Sequence, residues 1–285
     1  MDDNLDEYQA VAGSSEFKWT RPGLERKTMD KFSSKYTVEL QTLEPRYIPK
    51  SREVVEEDHC QYDIICANLK IFGNPKAKSC LGALMEKRMY EGNSVVAIEL
   101  ETQKVLGVII AVERFTYRHP EPDELEDQVL EKDIHYIEEL RCLLVVRART
   151  QLDKCMVEGD KYLEVVLLCG SRETANHFEI EVVLIDALIK VAELKQIKFL
   201  IVISDYRKHQ LHLLSLGFTK VSEMAYGTIN SQFEQKKFPK TDASSSMMCL
   251  LLKLVDRSRL RQLTQFEIRW SAPIRRATRL KLAFY

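Results

Sequence analysis

Apolar and polar positions alternate with period two over residues 36–40, which predicts a first strand, and Pro45 and Pro49 break the chain after it. Tyr62, Ile65, Ala67, Leu69 and Phe72 then recur at helical spacing, so an amphipathic helix is expected over 55–72, ended by Gly73, Asn74 and Pro75. A second helix over 80–90 stops at Gly92 and Asn93. Two β-rich runs, 94–99 and 105–112, joined by the polar turn 101–104, read as a hairpin. Pro120 and Pro122 open a charged helical region, 123–157, whose apolar pattern loses phase near Arg147 and predicts an interruption there. Residues 162–169 are almost entirely apolar, as in a strand covered on both faces. After a turn over 170–176, a helix over 177–194 carries Ile180, Val183, Leu184, Ala187, Leu188, Val191 and Ala192 on one face. A strand over 198–203, a short helix over 206–216 closed by Gly217, and strands over 218–226 and 247–254 complete the pattern. A polar loop with Gly227 and Pro239 separates the last two strands, and no internal repeat is found.

Three regions follow: a mobile N-terminal arm (1–35) without sustained period, one α/β (α+β) domain (36–255) with a mixed sheet of about six to seven strands flanked by helices, and a basic C-terminal tail (256–285). The 45% hydrophobic share is ample for a packed core. Lys+Arg at 42 and Asp+Glu at 43 nearly cancel, so no global field draws the chain to nucleic acid or an anionic membrane. The charge is local: Arg257, Arg259, Arg261, Arg269, Arg275, Arg276, Arg279 and Lys281, interleaved with Phe266, Trp270 and Phe284, can meet RNA, DNA or an acidic protein face, or fold back onto the acidic stretch 121–139. Seven cysteines without C-x-x-C spacing argue against a disulfide framework or a zinc knuckle. No apolar run opens the chain or reaches bilayer length, so a cytoplasmic or nuclear protein is expected, without membrane contact. His209 and His212 have no third ligand at metal spacing, so no metal is expected.

The element order, the turn Leu216-Gly217-Phe218, the following residues 219–223 with Tyr226, and a helix at 63–72 running into a proline resemble the GCN5-related N-acetyltransferases (GNAT), within them the insect arylalkylamine N-acetyltransferases. The resemblance covers 36–255 and implies the acetyltransferase fold, acetyl-CoA as cofactor and a small amine, an arylalkylamine or polyamine-like molecule, as acceptor. It implies cofactor contacts at Leu168, Cys169, Arg172, Ala175, Asn176, His177 and Phe178, with Lys208 near a 3'-phosphate. The family loop carries two glycines that let backbone N–H groups approach the pyrophosphate. In this sequence their places fall on Phe178 or Glu179 and on Ile180 or Glu181, and Arg172 or His177 is left to contact phosphate. The glutamate expected before Pro75 is Asn74, which cannot act as a base. Glu99 and Glu113 are the substitute bases the resemblance suggests, and Tyr206 the general acid. Two functions stay open: an acetyl-CoA-dependent N-acetyltransferase, or a catalytically inactive acetyltransferase-fold interaction module.

Overall fold

The computed structural model describes residues 18–25, 35–116, 130–172, 177–232 and 245–254. Those up to Leu252 lie in one compact unit. Eight strands, β1 (Lys18–Glu25), β2 (Lys35–Thr42), β3 (Val95–Glu99), β4 (Val105–Phe115), β5 (Lys161–Gly170), β6 (Phe199–Ser204), β7 (Thr219–Ala225) and β8 (Ser246–Lys253), form one mixed sheet in the order β1-β2-β3-β4-β5-β6-β8-β7. Pairing is antiparallel from β1 to β5 and between β7 and β8, and parallel between β5 and β6. A parallel step needs a crossover, which the helix α6 (His177–Leu194) supplies.

The helices preceding α6 are α1 (Ile48–Val54), α2 (Cys60–Tyr62), α3 (Ile64–Asn68), α4 (Pro75–Met89) and α5 (Lys132–Cys155); α7 (Arg207–Ser215) and α8 (Tyr226–Gln232) follow it. Val96 and Ile98 of β3 and Val108, Ile110 and Val112 of β4 join one core cluster with α1, α4 and α5. The apolar residues of α6 stand outside that cluster and pack on the other face, across β2 to β6. With both faces covered, all five residues of β3 and the first eight of β4 are buried, which is why their sequence reads as continuous apolar runs rather than an alternation.

Several expectations need correction. The arm contributes β1, whose pairing with β2 shifts register between Arg21 and Leu24. Pro22 has no N–H to give and Gly23 no side chain, so this strand is specified by its partner rather than by its own pattern. Pro45 and Pro49 start helical turns instead of breaking the chain, since a proline in a first turn forfeits no hydrogen bond. The helix expected over 55–72 is a π turn (Val55–His59) followed by α2 and α3, divided at Asp63, where ψ is 138°. The second helix begins at Pro75 rather than at 80, with Asn74 as its cap. α5 runs unbroken through Arg147: Ile137, Leu140, Leu144, Ala148 and Leu152 hold one buried face, and half-exposed Val146 produced the apparent change of phase. Gly227 lies in α8, not in a loop. Residues 123–129 and 256–285, including the basic tail, lie outside the described residues.

Candidate functional site

β5 and β6 part before the end of β5. Ile110 pairs with Leu167 and Ala111 with Val165, so Val166 is an extra residue in β5. Such a bulge bends the strand that carries it. β5 and β6 pair from Tyr162 with Phe199 to Val165 with Val202, and their ladder ends where the bulge begins. The guanidinium of Arg141, from α5, donates to the carbonyls of Val165 (3.1 Å) and Val166 at this bulge. Arg141 also lies 3.6 Å from Glu164. Beside it, Arg88 of α4 makes a two-pronged contact with buried Glu138 of α5. Burial would push the Glu138 carboxyl up, but the Arg88 and Arg141 guanidinium groups outweigh it and hold the group below the usual carboxylate range.

A cavity of about 90 Å³ lies in the gap, reached by Val166, Leu167 and Leu168 of β5, Ile203 and Ser204 of β6, and Arg141. His59, Asp63, Cys66, Asp205 and His209 also line it. Burial lowers the His59 pKa and raises the Cys66 thiol well above its ordinary value. The Asp205 carboxyl is likewise pushed well up, first by burial and then by the charge of Asp63, with which it shares a hydrogen bond.

A second polar constellation sits at the end of β5. Glu181 of α6 accepts the Gly170 N–H at Oε1 (3.1 Å) and faces His209 Nε2 at Oε2 (2.7 Å). Phe178 stacks on the His209 ring at 5.4 Å, and Tyr206 meets it edge-on at 5.0 Å. The Gly170, Glu181 and His209 contacts bind β5, α6 and α7 together.

Leu168, Phe178 and Tyr206 therefore lie at this end of the sheet. Cys169 turns from the cavity, its sulfur 3.9 Å from the Val54 carbonyl. Arg172 is held by Asp58, which accepts its backbone N–H at 3.1 Å, and by the Tyr62 ring, 4.9 Å from its guanidinium carbon. Lys208 is exposed. Ala175, Asn176 and the His177 side chain fall outside the described residues. Glu99 is buried at the end of β3, where its carboxylate accepts from the Thr102 hydroxyl within the hairpin turn. Glu113 pairs with Lys161 at 2.7 Å and lies opposite Leu163, six residues along β4 from Gly107. At about 3.3 Å per residue that is roughly 20 Å from the end of β5, so Glu113 and Tyr206 do not share a site.

Acetyl-CoA would need room, a free backbone edge on β5 and backbone donors for its pyrophosphate. The cavity is far below the roughly 300–1,000 Å³ of small-molecule sites. Arg141 takes the bulge carbonyls and a carboxylate takes the Gly170 N–H, so an anion there would meet negative charge. In this arrangement the cavity is small and the Gly170 N–H is taken, while residues 173–176 of the loop the resemblance assigns to the pyrophosphate lie outside the described residues. Sequence reasoning missed Arg141, an arginine in a charged helix that reads as solvated, and the Glu181–His209 contact. It also missed His59, Asp63 and Cys66, whose offsets of four and three residues were the available signal.

No protein-family model matches the chain, and no curated protein does. Solved structures do. A putative arylalkylamine N-acetyltransferase 7 from the mosquito Aedes aegypti superposes with a TM-score of 0.72 at 12% identity, over 87% of this chain and 99% of that one. Arylalkylamine N-acetyltransferase 2 of Aedes aegypti gives 0.66 at 13% identity, over 76% and 99%. The Drosophila melanogaster polyamine N-acetyltransferase, an enzyme forming N-acetylagmatine, gives 0.59 at 11%, over 76% and 100%. The chain has the GNAT acetyltransferase fold and resembles the arylalkylamine N-acetyltransferases in it.

Proposed function

We propose that this protein is a catalytically silent protein on the acetyltransferase fold, in which the cleft for a thioester has become a small polar binding cavity. The observation that carries this reading is Arg141, whose guanidinium lines the cavity between β5 and β6 and donates to the Val165 and Val166 carbonyls. An acyl carrier would have to displace an arginine whose charge Glu164 balances, and then leave Glu164 without it. Glu181 on the Gly170 N–H and Asn74 in place of a base support the same conclusion. The basic segment 257–281 offers this module a further contact; salt-dependent RNA binding lost on truncation after Val255 is the expected sign of it.

One observation favours a second reading, acetyl-CoA-dependent acetylation of a small (arylalkyl)amine. His209, held by Glu181 and flanked by Tyr206, has the arrangement of an oriented imidazole that could take a proton from an ammonium. Calorimetric titration of acetyl-CoA into the protein and into Arg141→Gln, both checked for folding by circular dichroism, separates the two. No heat of binding is expected from the parent. Micromolar binding by the parent overturns the silent reading and directs the work to amine turnover.

A further inference from the structure

One wall of the cavity is built by a single stretch of chain, from the end of the π turn through α2 into α3, and presents His59, Asp63 and Cys66. One ligand atom from each lies within 4.8 Å of the other two. Asp63 caps α3, but the cap uses only Oδ1, which accepts from Ile65 N (3.1 Å) and Cys66 N (2.9 Å). A cap requires neither an imidazole nor a thiol beside it. A second carboxyl, Asp205, hydrogen-bonds to Asp63 and lines the same cavity.

We propose that His59, Asp63 and Cys66 bind a divalent transition-metal ion of the zinc type, with the fourth coordination position open to the cavity. The donor set decides the class: imidazole nitrogen, carboxylate oxygen and thiolate sulfur suit zinc, whereas magnesium and calcium take oxygen ligands and would leave the sulfur unused. One thiolate and one carboxylate balance the two positive charges, so a neutral His59 completes the set without adding charge. Cys66 releases its thiol proton to solvent as the metal–sulfur bond forms. Tetrahedral coordination with bonds of about 2.0–2.3 Å separates ligand atoms by roughly 3.3–3.7 Å, so side-chain adjustments of about 1 Å close the present spread. Three protein ligands rather than four leave a position for water, and a cavity of about 90 Å³ has room for one. Asp205 acts as a positioning residue, orienting Asp63 from outside the ligand set. The site does not depend on the reading proposed above, because metal binding and acetyl-CoA binding are measured separately.

The test is titration of cobalt(II) into the chelator-treated full-length protein, followed by absorption. One equivalent is expected to produce the near-ultraviolet thiolate-to-cobalt band and intensified visible bands of a tetrahedral site, and zinc is expected to bleach both. Cys66→Ser abolishes the thiolate band. Asp63→Asn, which retains a capping oxygen, and His59→Gln weaken binding while the circular dichroism spectrum is unchanged. Asp205→Asn weakens it roughly 10- to 100-fold with the thiolate band retained. Absence of the band in the parent overturns the proposal. So does a band that survives Cys66→Ser, which would belong to another of the seven cysteines, such as exposed Cys155.

Discussion

His209 Nε2 lies 2.7 Å from Glu181 Oε2 while the other oxygen of that carboxylate accepts the Gly170 N–H, so one side chain joins the end of β5 to α7. Glu181 is buried and His209 partly so, with side-chain exposures of 7% and 12%. Glu181→Ala leaves a buried N–H and an imidazole without their acceptor, and a loss of about 2–4 kcal/mol is expected in urea unfolding. Glu181→Gln keeps an oxygen for Gly170 and should lose about 1 kcal/mol. Equal losses in the two variants would show that the Gly170 contact contributes nothing.

The Arg88–Glu138 contact predicts an acid-sensitive step. The folded-state pKa of Glu138 is depressed below its unfolded value of about 4.3, so the stability it contributes is present above that pH and is lost as pH falls through the folded value. Urea unfolding between about pH 6 and pH 3 should therefore show a shallower decline for Glu138→Gln than for the parent. Arg88→Met at neutral pH should cost about 3–5 kcal/mol, because it strands a carboxylate that is 5% exposed. An unchanged pH slope in Glu138→Gln would remove Glu138 from the acid transition.

Asn74 stands where the resemblance expects a glutamate, and its Oδ1 accepts from Lys76 N (3.2 Å) and Ala77 N (3.3 Å) at the start of α4. Asn74→Ala should cost about 1 kcal/mol, and Asn74→Asp should be nearly neutral. Asn74→Glu, which restores the family residue, should weaken the cap, and on the proposed silent reading it produces no acetyl transfer. Acetylation by that variant would show that the missing base alone silences the protein.

The strands, α6 and the helix closed by Gly217, whose φ is +91°, were legible because local pattern and packing agree there. β3, β4, β5, β6 and β8 announce themselves as apolar runs, and β2 by its alternation. β1 does not, since Pro22 and Gly23 interrupt it and only β2 gives it a register. The site was less legible for a related reason. Arg141 and Glu138 sit on a helix whose composition suggests ordinary solvated charge, and nothing local says that Arg141 faces a bulge in the next strand. The Val166 bulge itself leaves no mark in a run of apolar residues, yet it decides where the sheet opens.

Gly107 offers a direct probe of that opening. It pairs with Gly170 at the end of β5, and a Cβ added to it would come within 2.7 Å of Ile180 Cγ2 and 2.8 Å of the Cys169 carbonyl. The isoleucine belongs to α6 and the carbonyl to backbone, so neither yields as a flexible side-chain end would. Gly107→Ala must therefore push β4 from β5 or lift the first turn of α6, and a loss of about 1–3 kcal/mol is expected. The strain lands beside Gly170 and Glu181, so fluorescence of a probe on exposed Cys155 should stay constant while amide exchange at Gly170 accelerates. Unchanged exchange at Gly170 with full loss of stability would place the damage in α6 alone, and Gly107 would then serve helix packing rather than the end of the cleft.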